Sequence, residues 1–169
     1  LEGMHLSEFT AENTDTDIGD KIGQTLWDFY KYQMHHLRRV HADPHPGNFL
    51  IDENANLMAI DFGCIKKVPN EFYVPYFELA NPKTIDNPIL FKEKLYQLEI
   101  LRADDTPEEI AYFTAIFHRL LSLFTLPFHS DTFDFSDEAF FGAIATMGEE
   151  FTKDTQLRKM NGNRGSKHF

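Results

Sequence analysis

Asp43, Asn48 and Asp61 are the residues of this chain whose types and spacing suggest chemistry. They lie in one stretch, His41-Ala42-Asp43-Pro44-His45-Pro46-Gly47-Asn48, followed by a short apolar passage and Asp61-Phe62-Gly63. Phosphoryl transfer asks little covalent help of a protein: it needs positioning and neutralisation of charge. One aspartate orients or deprotonates the attacking hydroxyl or water. A second holds a divalent cation that bridges the phosphates, and an asparagine adds a neutral oxygen ligand without over-charging the metal shell. Asp43, Asp61 and Asn48 match those roles in that order.

The elements that must present them follow from the same stretch. Pro44 and Pro46 forbid regular helix between His41 and Asn48. Phe49-Leu50-Ile51 and Leu57-Met58-Ala59-Ile60 read as two short apolar strands, and Asp52–Asn56 has turn composition. The pair is expected as a hairpin with the loop at one end and Asp61 at the other. The protein-kinase arrangement H-R-D-x-x-x-x-N, then D-F-G, has this order and spacing. His41 and His45 are four apart, as in a helical zinc pair, but the two prolines exclude that helix. His41 is expected to pack beneath the loop. His5, His118 and His129 read as ordinary core or loop histidines.

Around this hairpin the chain reads as helical. Residues 15–38 carry Ile18, Ile22, Leu26, Phe29, Tyr30 and Leu37 at helical spacing behind N-cap candidates Asp15, Thr16 and Asp17, after an extended lead-in over 1–14. Helices are expected over Asn70–Ala80, Pro88–Leu101 and Phe140–Phe151, the last started from Ser136 or Asp137. Thr106-Pro107 with Glu109 is a capping box with proline at the first helical position, opening a helix that runs to about Thr125. The Phe-rich stretch 113–128 has core spacing rather than that of a lipid-facing surface. Asn161–Ser166 is loop-like. The fold class expected is mainly α with one small β-hairpin, in a single domain over residues 1–169.

Composition narrows the function. Twenty-seven acidic against 16 basic residues give a net charge of −11, which argues against binding a phosphate backbone. The acids of 131–150 read as a solvated face. Cys64 is the lone cysteine, so a reducing compartment is permitted. No apolar run approaches the ~20 residues of a spanning helix.

H-A-D-P-H-P-G-N followed by A-I-D-F-G resembles the UbiB/AarF-domain family of atypical kinases, associated with ubiquinone and other isoprenoid lipid metabolism. Leu1-Glu2-Gly3-Met4-His5-Leu6-Ser7 is similar to that family's hinge between kinase lobes, and Arg164-Gly165 through His168-Phe169 to the start of its terminal R-G-x-x-H-F segment. The resemblance implies the C-terminal lobe of a protein-kinase-like fold. Asp43 would then be the catalytic aspartate, Asn48 and Asp61 the metal ligands, and Asn48, Asp61 and Gly63 the nucleotide-binding residues. His45, where many protein kinases have lysine, would neutralise charge on the transferred phosphate or orient Asp43. The implied cofactors are ATP with Mg²⁺ or Mn²⁺, the activity a kinase or ATPase, and the acceptor a small molecule or a lipid.

The chain is expected to begin at the hinge, as a piece of a longer protein whose N-terminal lobe completes the site, and to be nearly inactive alone. The full-length protein is expected in the cytoplasm or peripherally on the cytoplasmic side of a membrane, organellar in a eukaryote. Lys21-Ile22-Gly23-Gln24 matches the letters of the family's K-x-G-Q motif but falls inside the first long helix, and reads as coincidence. No A-P-E follows Asp61-Phe62-Gly63, so a peptide dock is unsupported. Two other readings share the residues: a pseudokinase-like module that binds nucleotide, lipid or protein, and a phosphotransferase of the aminoglycoside or choline kinase type.

Overall fold

Pairing across the Phe49–Ile51 strand organises the first part of the chain. A computed structural model describes residues 2–9, 16–155 and 157. The expectations for Asp15, for 10–14, for the Asn161–Ser166 loop and for the 164–169 segment lie outside the described residues. The chain divides into two compact units, 1–69 and 70–169.

In the first unit, β1 (Met4–His5), β3 (Phe49–Ile51) and β4 (Leu57–Ala59) form an antiparallel sheet in the order β1-β3-β4. The hairpin is as expected, with Phe49 opposite Ala59 and Ile51 opposite Leu57. That register corrects one expectation. Antiparallel pairing returns the chain to its starting end, so the 41–48 loop and Asp61 share the open end, and the turn alone occupies the other. Asp52 builds that turn: its Oδ1 accepts the Asn54 and Asn56 amides at 2.9 and 2.8 Å, and Ala55 takes a left-handed φ of 57°. These bonds, led by the Asn56 side chain, hold the Asp52 carboxyl below its usual range.

All three β3 residues are buried, because β1 and β4 flank the strand and α1 (Thr16–Tyr32) lays Phe29 edge-on against Phe49. The helix expected over 15–38 is regular only to Tyr32. The backbone then widens into a π turn over Gln33–Leu37 and ends at Arg38 with φ 53°. A second, two-stranded sheet pairs β2 (Arg39–His41) with β5 (Ile65–Lys67), a pairing the sequence did not suggest.

β1 reaches its place because Gly3 has no side chain. A Cβ there would stand 2.8 Å from the Ile51 carbonyl oxygen, against backbone that cannot yield cheaply. Gly3→Ala should therefore destabilise the first unit by about 1–3 kcal/mol, read as a lowered urea midpoint. An unchanged midpoint would mean that β1 does not hold its register.

The second unit is helical: α2 (Asn70–Leu79), α3 (Pro82–Ile85), α4 (Pro88–Gln97), α5 (Pro107–Phe124) and α6 (Glu138–Lys153). Three helices start with a cap residue followed by proline: Asn81-Pro82, Asn87-Pro88 and Thr106-Pro107. The Thr106–Glu109 capping box is formed in both directions, at 3.2 and 2.9 Å. Asp137, rather than Ser136, caps α6. α4 stops at Gln97, short of the expected Leu101, because Glu99 turns left-handed with φ 60°; Ile100 and Leu101 are nonetheless buried. In the Phe-rich stretch, Phe113 and Leu121 are buried as core spacing predicts, whereas Phe124, Leu126 and Phe128 are exposed. The acids of 131–150 are exposed, in accord with a solvated face.

α5 and α6 are clasped by Arg119–Glu150 and by the Tyr112 hydroxyl, which donates to Asp154 at 2.5 Å. Desolvation first, then the bond to Asp154, pushes the Tyr112 phenol up to about 12 from 10.0. The unfolded chain therefore gives up this proton at lower pH than the folded one, so the phenol's stabilising contribution is complete below pH 10 and disappears towards pH 12. Tyr112→Phe should flatten that alkaline loss; equal slopes in both chains would show that the clasp is not formed.

Candidate active site

The open end of the hairpin is held by bonds that reach past the strands. The Ile60 amide donates to the Asn48 carbonyl at 3.0 Å, extending the β3–β4 ladder by one step and setting Asp61 just beyond Asn48's partner. The Ala42 amide donates to the Cys64 carbonyl at 2.8 Å, continuing the β2–β5 ladder where His41 faces Ile65. The two ladders draw the loop carrying Asp43 and Asn48 to the segment carrying Asp61.

His41 is the post beneath them, as expected. It is 2% exposed, and its Nε2–H donates to the Asp61 carbonyl. Its ring packs against Phe49 and edge-on to Phe62. Its amide donates to Gln33 Oε1 at 2.7 Å, and Gln33 Nε2 donates back to the Phe29 carbonyl. The buried Gln33 amide thus ties the π turn to β2. The apolar pattern of 15–38 hides it, because a glutamine on that face looks like an interruption.

Pro46–Asn48 is one turn of 3₁₀ helix, closed by the Asn48 amide donating to the His45 carbonyl at 2.9 Å. It turns the Asn48 side chain back on the loop: Nδ2 donates to the Asp43 carbonyl at 3.1 Å and to Asp43 Oδ2 at 2.9 Å. Asp43 and Asn48 are therefore in direct contact. Asp61 Oδ1 accepts the Gly63 amide at 2.7 Å, and a Cβ on Gly63 would stand 3.1 Å from that oxygen. His45 bends towards its own loop, with Nδ1 accepting the Gly47 amide at 3.0 Å, so Nε2 is the nitrogen that carries the proton. His41 in β2 and His45 in the loop do not share a helix face. The residue that sequence reasoning passed over is His5, whose Nδ1–H donates to the Gly47 carbonyl at 3.1 Å; nothing local to position 5 signals this contact.

Asn48 and Asp61 offer oxygen ligands of the kind a hard divalent cation would take. With both Asn48 amide hydrogens turned to Asp43, its Oδ1 keeps the ligand character, and the Asp61 carboxylate adds a second oxygen. Among the described residues no three His, Cys, Asp or Glu side chains cluster as a metal cage. A cation here would complete its shell with water and phosphate oxygens, the habit of Mg²⁺ rather than of structural zinc.

Comparison with known proteins gives the family of this stretch. Residues 1–85 match the ABC1 atypical kinase-like domain, a span that includes the whole loop, the hairpin and Asp61-Phe62-Gly63. An ABC1 family protein of Schizosaccharomyces pombe is 38% identical over 53 residues, 31% of this chain and 10% of that protein. The chain belongs to the ABC1 atypical kinase-like family, and the resemblance read from its loop and D-F-G residues holds. It spans about a tenth of the length of the curated relative it matches.

Proposed function

We propose that these residues form the catalytic and metal-binding part of an ATP-dependent phosphotransferase or ATPase. The observation that carries this reading is the Asp43–Asn48 contact at 2.9 Å, with Asp61 held beside it through Ile60 and His41. In this reading Asn48 and Asp61 hold Mg²⁺ or Mn²⁺, which supplies charge neutralisation on the phosphates of ATP. Asp43 accepts the proton of the attacking hydroxyl or water, or orients it. The bond from Asn48 Nδ2 keeps Asp43 pointed while it does so. His45 offers Nε2–H to a phosphate oxygen. His41 and Gln33 orient without touching substrate.

On the family resemblance, a further lobe would supply the nucleotide's cover. The acceptor, a small molecule or a lipid, and the link to ubiquinone or other isoprenoid lipids rest on the family resemblance, as does a place in the cytoplasm or on a membrane face. No helix among the described residues is long and apolar enough to cross a membrane.

Thermal unfolding of the full-length protein with and without Mg²⁺-ATP tests the reading. Ligand binding to the folded state raises the midpoint by mass action. The shift should be present in the native sequence and lost in Asp61→Asn. No shift at saturating nucleotide, or an equal shift in both proteins, overturns the metal–nucleotide site. A shift without turnover would mark the pseudokinase-like module instead.

A further inference from the structure

His5 lies outside the loop and outside the D-F-G segment, yet it touches the site. Three observations fix it there. Its backbone pairs with Leu50 in the β1–β3 ladder. Its amide donates to the Glu8 carboxylate at 3.3 Å. Its Nδ1–H donates to the Gly47 carbonyl, in the single 3₁₀ turn that leads into Asn48. The Gly47 peptide is thus gripped from both sides: its carbonyl by His5, its N–H by His45 Nδ1. A Cβ on Gly47 would stand 3.0 Å from that same His45 nitrogen, so a larger residue there would press on the His45 ring. The lead-in can lie this close only because Gly3 lets its backbone approach Ile51.

We propose that His5 is a positioning residue for the metal end of the site: through Gly47 it holds the turn that presents Asn48. The inference rests on the reading above, since it concerns the same Asn48. Its physical content is that of an outer partner fixing a ligand's orientation, where removal typically weakens metal binding by roughly ten-fold or more. It also makes the lead-in part of the site. Any displacement of β1 along Ile51 pulls on the catalytic loop through one hydrogen bond.

Asparagine is the informative replacement. Its Nδ2–H₂ occupies nearly the place of a histidine Nδ1–H and can donate to the same carbonyl, whereas alanine cannot. The experiment titrates Mn²⁺ against a fixed saturating concentration of ATP in the full-length protein. Bound metal is followed by electron paramagnetic resonance, and melting midpoints are recorded alongside. The proteins are the native sequence, His5→Ala, His5→Asn, Asp61→Asn, and Thr106→Ala as a destabilised control in the second unit.

His5→Ala should weaken Mn²⁺ binding roughly ten-fold. His5→Asn should recover most of it, and Thr106→Ala should lower the midpoint and leave the metal affinity unchanged. If His5→Ala binds Mn²⁺ as the native protein does, or if His5→Asn is as weak as His5→Ala, the positioning role is wrong while the metal–nucleotide site stands. If the native protein binds no Mn²⁺-ATP, or Asp61→Asn binds it equally, the underlying reading fails and this inference fails with it.

Discussion

Asp43→Asn in the full-length protein should lower turnover by about 10²–10⁴-fold, the usual contribution of a positioned acid–base group. Nucleotide affinity should change little. The substitution removes the carboxylate but keeps the shape and the backbone carbonyl, so Asn48 Nδ2 retains its 3.1 Å acceptor. It therefore separates the chemistry of Asp43 from its role in holding Asn48. Initial rates of phosphate transfer or release, with nucleotide affinity from the same preparations, give the two numbers. A fall in affinity matching the fall in turnover would mean that Asp43 acts in binding; an unchanged turnover would remove it from the catalytic set.

Phe49→Ala should have the largest effect on stability. Phe49 is 1% exposed, sits in the central strand and meets the rings of Phe29 and His41. Truncating a fully buried phenylalanine costs about 3–5 kcal/mol, against a total stability of about 5–15 kcal/mol for a typical domain. Phe49→Leu keeps much of the apolar volume and should cost less. The damage should also reach the site, because Phe49 follows Asn48 directly and supports the ring that anchors Asp61. Urea denaturation read at equilibrium compares the three chains; a loss below about 1 kcal/mol for Phe49→Ala would mean that this packing is not formed.

These expectations show how the fold could be read from residues. The hairpin was legible because Phe49–Ile51 and Leu57–Ala59 are apolar runs around turn residues, and the start of α5 because its capping box is a local chemical signature. The approach of Asn48 to Asp43, and the place of Asp61 at the exit of the hairpin, were legible because the spacing is local too. What stayed hidden was non-local or short. β5 is exposed at all three positions and shows no alternation, so only its ladder to β2 defines it. α3 is a single turn, visible in hindsight from Asn81-Pro82. The π turn carries Gln33, whose side chain answers the His41 amide, a bond between residues on two different elements. His5 depends on the fold bringing position 5 to position 47.

The antiparallel register of β3 and β4 also sets how the hairpin can change length. Because the loop and Asp61 share one end, the hairpin can grow or shrink at its far turn without moving either of them. The constraint that remains is one of parity. Insertions or deletions that are equal in the two strands preserve which faces Phe49 and Ala59 present, whereas a single unmatched residue turns one strand over. Hairpin length can therefore change by matched steps, while an odd, one-sided change within a strand between Asn48 and Asp61 would expose a buried face unless a bulge absorbs it.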